Sequence, residues 1–245
     1  MWVPKKVTDS MDDASLSSGD SFTAEESAGV SSRHYFATRH LWVARHSARL
    51  CQEREDFLVK TNTVVEDIEH GSLAVTAVLS SVAFLEALVN EVFLDVADTS
   101  LGVSTHRTDG IGDEAAELMR ERWNDQAPTQ DKYQLALSCA GKPKFDEGEN
   151  PFQGVHKLIT LRNMLVHFKP KWHDHNEQHE LQKKFRGVFP VNQQPIGEPW
   201  YPNKLFGAGC AKWAHTVSTA FTDEWVNRIG LTSDYLADFA SFPKP

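Results

Sequence analysis

Residues Ser72 to Ala97 constrain the fold of this chain more than any other stretch. The segment is dominated by Ala, Val, Leu and Phe and contains neither Gly nor Pro. A run this long without a breaker favours helix over strand despite its β-branched content. A helix apolar on nearly every side belongs in the middle of a bundle, where neighbouring helices cover it. Its few polar groups then need partners, because an unpaired buried carboxylate is costly. Glu86 and Asn90 stand four residues apart and so fall on one face of that helix.

The flanking segments supply the neighbours. Tyr35 to Val65 also lacks Gly and Pro, and Tyr35, Leu41, Trp42, Leu50, Phe57, Leu58 and Val65 recur at roughly helical spacing. One long helix is predicted there, with a break expected near Lys60–Thr63 and a turn at His70-Gly71. Asp113–Trp123 reads as a shorter amphipathic helix, with Asp113 and Glu114 where the helix dipole favours them. Asp131–Cys139 reads as another, ended by Gly141. Pro151 opens a helix over Phe152–Phe168 that Lys169-Pro170 closes. The last helix is predicted over Ala208–Arg228 and stops at Gly230. Four or five substantial helices with short connections predict an all-α antiparallel bundle.

Four regions follow. Residues 1–32 are rich in Ser, Asp, Glu and Gly and poor in large apolar side chains, so they are expected to be a disordered arm. Residues 33–169 form the bundle core. Residues 170–207 hold Pro190, Pro195, Pro199 and Pro202 and read as an irregular connection, with a turn-rich helix around Asn176–Phe185. Residues 208–245 carry the final helix and a tail; Trp200-Tyr201-Pro202 with Trp213, Phe221 and Trp225 are expected to dock this C-terminal segment on the bundle, the alternative being exposed aromatics that stack bases.

A formal charge of −9 argues against broad, non-specific nucleic-acid binding. The charge is uneven, however. Residues 151–190 hold Lys157, Arg162, Lys169, Lys171, Lys183, Lys184 and Arg186 against only Asp174, Glu177 and Glu180. A local basic patch on an acidic body is expected. The three cysteines, Cys51, Cys139 and Cys210, are too far apart for a zinc ribbon and odd in number, which points to reduced core thiols. Lys5 and Lys6 are followed by no apolar stretch of the signal-peptide kind, and Ser72–Leu85 is too short to span a bilayer before Glu86 interrupts it. A soluble, cytoplasmic protein without membrane contact is the expectation.

The most informative segment is Leu158-Ile159-Thr160-Leu161-Arg162-Asn163-Met164-Leu165-Val166-His167-Phe168-Lys169-Pro170. Arg162 and Asn163 interrupt an apolar helix, and His167 falls near its end. Arg162 and His167 are five positions apart, roughly 140° around a helix axis at ~100° per residue, so they do not share a face. Asn163 and His167 do, and Asn163 is placed to fix the imidazole through a hydrogen bond.

Arg162-Asn163-Met164-Leu165-Val166-His167 resembles the hallmark of the HEPN superfamily, an Arg usually followed by a polar residue, then His with four to six residues between, on the last core helix. Ser81 to Glu91 is similar to the second core helix of bacterial members. The resemblance covers residues 33–169. The loose pattern also fits Arg33 with His40 and Arg39 with His46, and only Arg162 has Asn163 behind it, an apolar helix around it and Lys169-Pro170 as a stop.

The resemblance implies metal-independent RNA cleavage by a homodimer whose two sites meet at the interface, leaving a cyclic phosphate, with no cofactor. Such enzymes serve in toxin–antitoxin or phage-defence systems, which implies an antitoxin or regulatory protein as a further partner. The chemistry suits the residues. Attack of a ribose 2′-OH on the adjacent phosphate needs a proton acceptor, a task suited to His167. The charge growing on the phosphoryl oxygens needs a fixed cation, a task suited to Arg162. Lys169 and Lys171 are candidates to hold the phosphate backbone, and Glu86 or Asn90 to orient Arg162. A second reading stands beside this one: Arg162 as a structural ion pair, His167 as a residue favoured by the helix dipole, and the protein as a non-catalytic HEPN-like dimer that binds a partner.

His173-Asp174-His175-Asn176-Glu177-Gln178-His179 places two histidines four apart, a spacing that suits a metal on a helix. Asn176 stands where a zinc protease needs Glu, and no further ligand set is evident. The run reads as a solvated polar stretch, and no metal site is expected.

Overall fold

The computed structural model describes residues 33–99, 106–170 and 178–231, and every described element is helical. The arm expected over residues 1–32 lies outside the described residues. Eight α-helices occur among the described residues: α1 (Ala37–Lys60), α2 (Ile68–Thr99), α3 (Asp113–Arg122), α4 (Thr129–Cys139), α5 (Phe152–Val166), α6 (Glu180–Phe185), α7 (Trp200–Asn203) and α8 (Ala208–Ile229). A short 3₁₀ turn, His106–Thr108, precedes α3. The all-α bundle expected from the sequence is the observed fold.

α2 is the axis of that bundle. It packs against α1, α3, α4, α5 and α8. Ala74, Ala77, Val78, Val82, Phe84, Leu85, Leu88, Val89 and Val92 are all buried, which satisfies a helix apolar on most sides. By length and composition alone α2 would be long and apolar enough to cross a membrane, contrary to the expectation that Glu86 cuts the apolar run short. Half of that apolar window is covered by the other helices.

α1 and α2 are antiparallel, pinned by polar contacts at both ends. At one end Tyr35 donates to Asp95 at 2.7 Å, and the backbone N–H groups of Phe36 and Ala37 donate to Glu91 at 2.7 and 2.8 Å. Arg107 closes that cluster, reaching Glu91 at 2.7 Å and Asp95 at 3.0 Å. At the other end the buried pair Glu55 and His70 meet at 3.0 Å.

That second contact corrects one expectation. His70-Gly71 is not a turn, since both residues lie in the first turns of α2. The Asp67 side chain accepts from the His70 backbone N–H at 2.8 Å, satisfying one of the donors that a helix start leaves free. The true turn is Thr61–Asp67, with Asn62 at a φ of 50°.

α8 joins α1 and α2 in the core. Trp225 is fully buried, donates from its indole nitrogen to the Tyr133 carbonyl at 3.1 Å, and meets the Tyr133 ring edge-on at 4.9 Å. Phe221 also meets Tyr133 edge-on at 4.9 Å and stacks on Phe145. Such aromatic pairs add about 0.5–1.5 kcal/mol each beyond the area they bury. Gly230, with a φ of 86°, ends α8 in the left-handed conformation that favours glycine. Cys51, Cys139 and Cys210 are free and buried, and burial pushes the Cys51 thiol up to about 12, with Glu55 adding to the effect.

Candidate functional site

α5 presents the candidate residues at its C-terminal end. Its inward face, Phe152, Val155, Leu158 and Leu161, is buried, which leaves Arg162 half-buried and Asn163 exposed on the next turn. Lys169 precedes Pro170, and a residue before proline is pushed away from helical geometry. α5 stops at Val166 rather than at Phe168, and His167 is its C-cap, with φ −104° and ψ 27°. The 140° offset expected between Arg162 and His167 on one continuous helix therefore does not describe the pair.

Arg162 has two polar contacts. One guanidinium nitrogen donates to the Asn163 side-chain oxygen at 3.0 Å. The other lies 3.5 Å from Glu86 on α2, a side chain 45% exposed against 27% for Arg162. Guanidinium carries five N–H donors, so three remain uncommitted among the described residues. Asn163 spends its side-chain oxygen on Arg162, while its backbone carbonyl accepts the His167 N–H at 2.9 Å. The His167 ring has no hydrogen bond or ion pair among the described residues.

Of the two supporting residues on α2, only Glu86 reaches Arg162. Asn90 points toward α4, where its side-chain oxygen accepts from the buried Lys132 ammonium at 3.0 Å. Lys132 also donates to the Asp125 carbonyl at 2.8 Å and lies 5.0 Å from the centre of the Trp123 ring. Lys169 is exposed beside the site, and Lys171 lies outside the described residues.

Exposed apolar residues flank His167 in the chain. Val166 is 56% exposed and Phe168 53% exposed, large apolar side chains open to solvent immediately before and after His167 in the chain. Phe168 lies 6.2 Å from the Tyr201 ring, and Tyr201 stacks on His179 at 4.5 Å. The signal was present in the sequence, since Phe168 follows a helix-ending His with no apolar neighbour after it. Tyr201 and His179 arrive from distant segments, and nothing local placed either of them beside Phe168.

The histidine run expected to be solvated is described only in part. His173 and His175 lie outside the described residues. His179 is the N-cap of α6, where its Nδ1 accepts the Leu181 N–H at 3.1 Å. No group of three or more His, Cys, Asp or Glu side chains suited to a metal occurs among the described residues.

No family model matches the chain, and no curated protein or solved structure is significantly similar to it. What can be said of its function rests on the residues themselves.

Proposed function

We propose that this chain is a metal-independent endoribonuclease of HEPN type that acts as a cytoplasmic homodimer. His167 takes the proton of a ribose 2′-OH as its oxygen attacks the adjacent phosphorus. The bond from phosphorus to the 5′-oxygen breaks, the imidazolium of His167 gives its proton to that leaving oxygen, and a 2′,3′-cyclic phosphate remains. Arg162 holds the negative charge that builds on the non-bridging oxygens. The observation carrying this reading is the availability of both groups. Arg162 is braced by Asn163 and Glu86 yet keeps donors to spare, and the exposed imidazole of His167 is uncommitted among the described residues.

Exposed Val166 and Phe168 beside His167 support a site completed by a second copy of the chain, since apolar side chains at a symmetric interface lose their contact with water. Lys169, with Lys171 beyond it, supplies cations for the RNA backbone. The resemblance in the Arg162–His167 segment places such a protein in toxin–antitoxin or phage-defence systems, with an antitoxin or regulator as its protein partner.

The test is cleavage of an RNA pool and of a DNA pool of the same sequences, with EDTA present. Cleavage of RNA alone, with cyclic-phosphate ends, is the predicted result. Cleavage of both pools, or of RNA with ends that lack the cyclic phosphate, contradicts it. A second reading, a non-catalytic dimeric binding module, is favoured by the Glu86–Arg162–Asn163 contacts, which equally describe a structural ion pair.

A further inference from the structure

The basic surplus in residues 151–190 is not absorbed by the Arg162–His167 site. The structure places two of its members, Lys157 and Arg186, in a groove of about 560 Å³ between the start of α5, the middle of α8 and the turn after α6. Neither Arg162 nor His167 lines this groove. Its volume falls in the range of roughly 300–1,000 Å³ typical of small-molecule sites.

Three features define what the groove accepts. The first is charge. Lys157 and Arg186 come from separate elements, and neither side chain has an ion pair or hydrogen bond among the described residues. Among the described residues no carboxylate lines the groove, although the chain carries 34 Asp and Glu in 245 residues. Two cations lining one groove, with no counter-charge among the described residues, favour an anion there. The second is geometry. Arg offers a planar fork suited to phosphate, and Lys a mobile point charge. The third is the wall. Trp213, Val217 and Val188 give an apolar face, with the Asn150 amide and the Thr216 hydroxyl at its edge. Gly154 lets α5 approach α8 closely beside the groove, since a Cβ there would come within 2.9 Å of Val217.

We infer that this groove binds a small organic phosphate ester, with the phosphate between Lys157 and Arg186 and a compact apolar or aromatic body against Trp213 and Val217. A phosphate monoester carries close to two negative charges at neutral pH, which matches the two cations. The site is separate from the nuclease reading and stands or falls without RNA.

The test is calorimetric titration of phenyl phosphate into the full chain at low ionic strength, with inorganic phosphate and phenol titrated in parallel. One saturable site per chain is expected, with phenyl phosphate bound at least tenfold more tightly than either fragment. Lys157→Gln with Arg186→Gln should weaken it by a further tenfold or more. Thr216→Trp should abolish binding by filling the groove while leaving both cations in place. Arg186 and Thr216 are exposed and Lys157 is half-buried, so unchanged melting curves verify that the variants fold. Absence of saturable binding, or binding indifferent to both sets of substitutions, would overturn the assignment. Inorganic phosphate bound as tightly as phenyl phosphate would overturn the apolar half of it.

Discussion

Glu55 and His70 face each other at 3.0 Å with both side chains almost wholly out of solvent, and this pair joins the C-terminal end of α1 to the first turn of α2. Glu55 is also the acceptor for the Ala208 N–H at 2.8 Å and the Gln193 N–H at 3.2 Å, so one carboxylate ties α1, α2, α8 and the connection before α7 together. Breaking a buried pair by removing one partner typically costs about 3–5 kcal/mol. Glu55→Ala is expected to destabilise the fold by that order, measured by chemical denaturation.

The same carboxylate makes stability sensitive to acid. Burial raises the Glu55 pKa, but the His70 contact and the two backbone donors outweigh it, and the net direction is downward. A carboxyl whose folded pKa lies below its unfolded value stabilises the fold above the unfolded value, about 4.3 for Glu. That stabilisation is lost as pH falls through the lower, folded value. Denaturation midpoints should therefore decline below about pH 4.3. Glu55→Gln should show a shallower acid decline than wild type, and an equally steep one would assign the acid sensitivity to other groups.

Gly207 guards this hub. A Cβ at this position would lie 2.6 Å from Glu55 Oε2 and 2.8 Å from the Asn192 backbone. The Asn192 main chain cannot yield as a flexible side chain would. Gly207→Ala is expected to destabilise by about 1–3 kcal/mol, the usual cost of overpacking. Thermal melting checks this, and an unchanged melting temperature would show that the α7–α8 junction has slack.

Glu86 separates the two readings of Arg162. An exposed ion pair contributes about 0–1 kcal/mol to stability, and Glu86 is 45% exposed. If the proposed nuclease reading holds, with Glu86 bracing Arg162, Glu86→Gln should leave the melting temperature within a degree or two while lowering RNA cleavage several-fold. Loss of stability without a change in cleavage would make the pair structural.

The exposed pair Val166 and Phe168 gives the dimer its test. Val166→Asp is expected to shift the protein from dimer to monomer in sedimentation velocity, with helicity unchanged. A wild-type chain that sediments as a monomer at high concentration would remove the homodimer from the account.

Periodicity made the large elements legible, and long-range contacts decided what it missed. α2 could be read because apolar residues occupy nearly all of its sides without a breaker, and α8 because its apolar register runs unbroken to Gly230. His70-Gly71 is helical rather than a turn because Asp67 caps the start of α2 three residues earlier, a local signal, and because Glu55 holds His70 from fifteen residues away, a contact that no local pattern reveals. Asn90 shares the face of Glu86 in sequence terms, but its partner Lys132 arrives from α4, 42 residues away. Similarly, the surplus of cations after Pro151 was visible, whereas the convergence of Lys157 and Arg186 on one groove required the packing of α5 on α8.

The most direct measurement of the central claim compares RNA cleavage by wild type, Arg162→Ala and His167→Ala, each first shown to be folded. General acid–base and charge-stabilising groups each contribute roughly 10²–10³-fold or more. Cleavage by the wild-type protein and a loss of at least a hundredfold in each variant are the expected results. Cleavage that survives both substitutions, or a wild type as inert as the variants, contradicts the assignment of Arg162 and His167 as the catalytic pair.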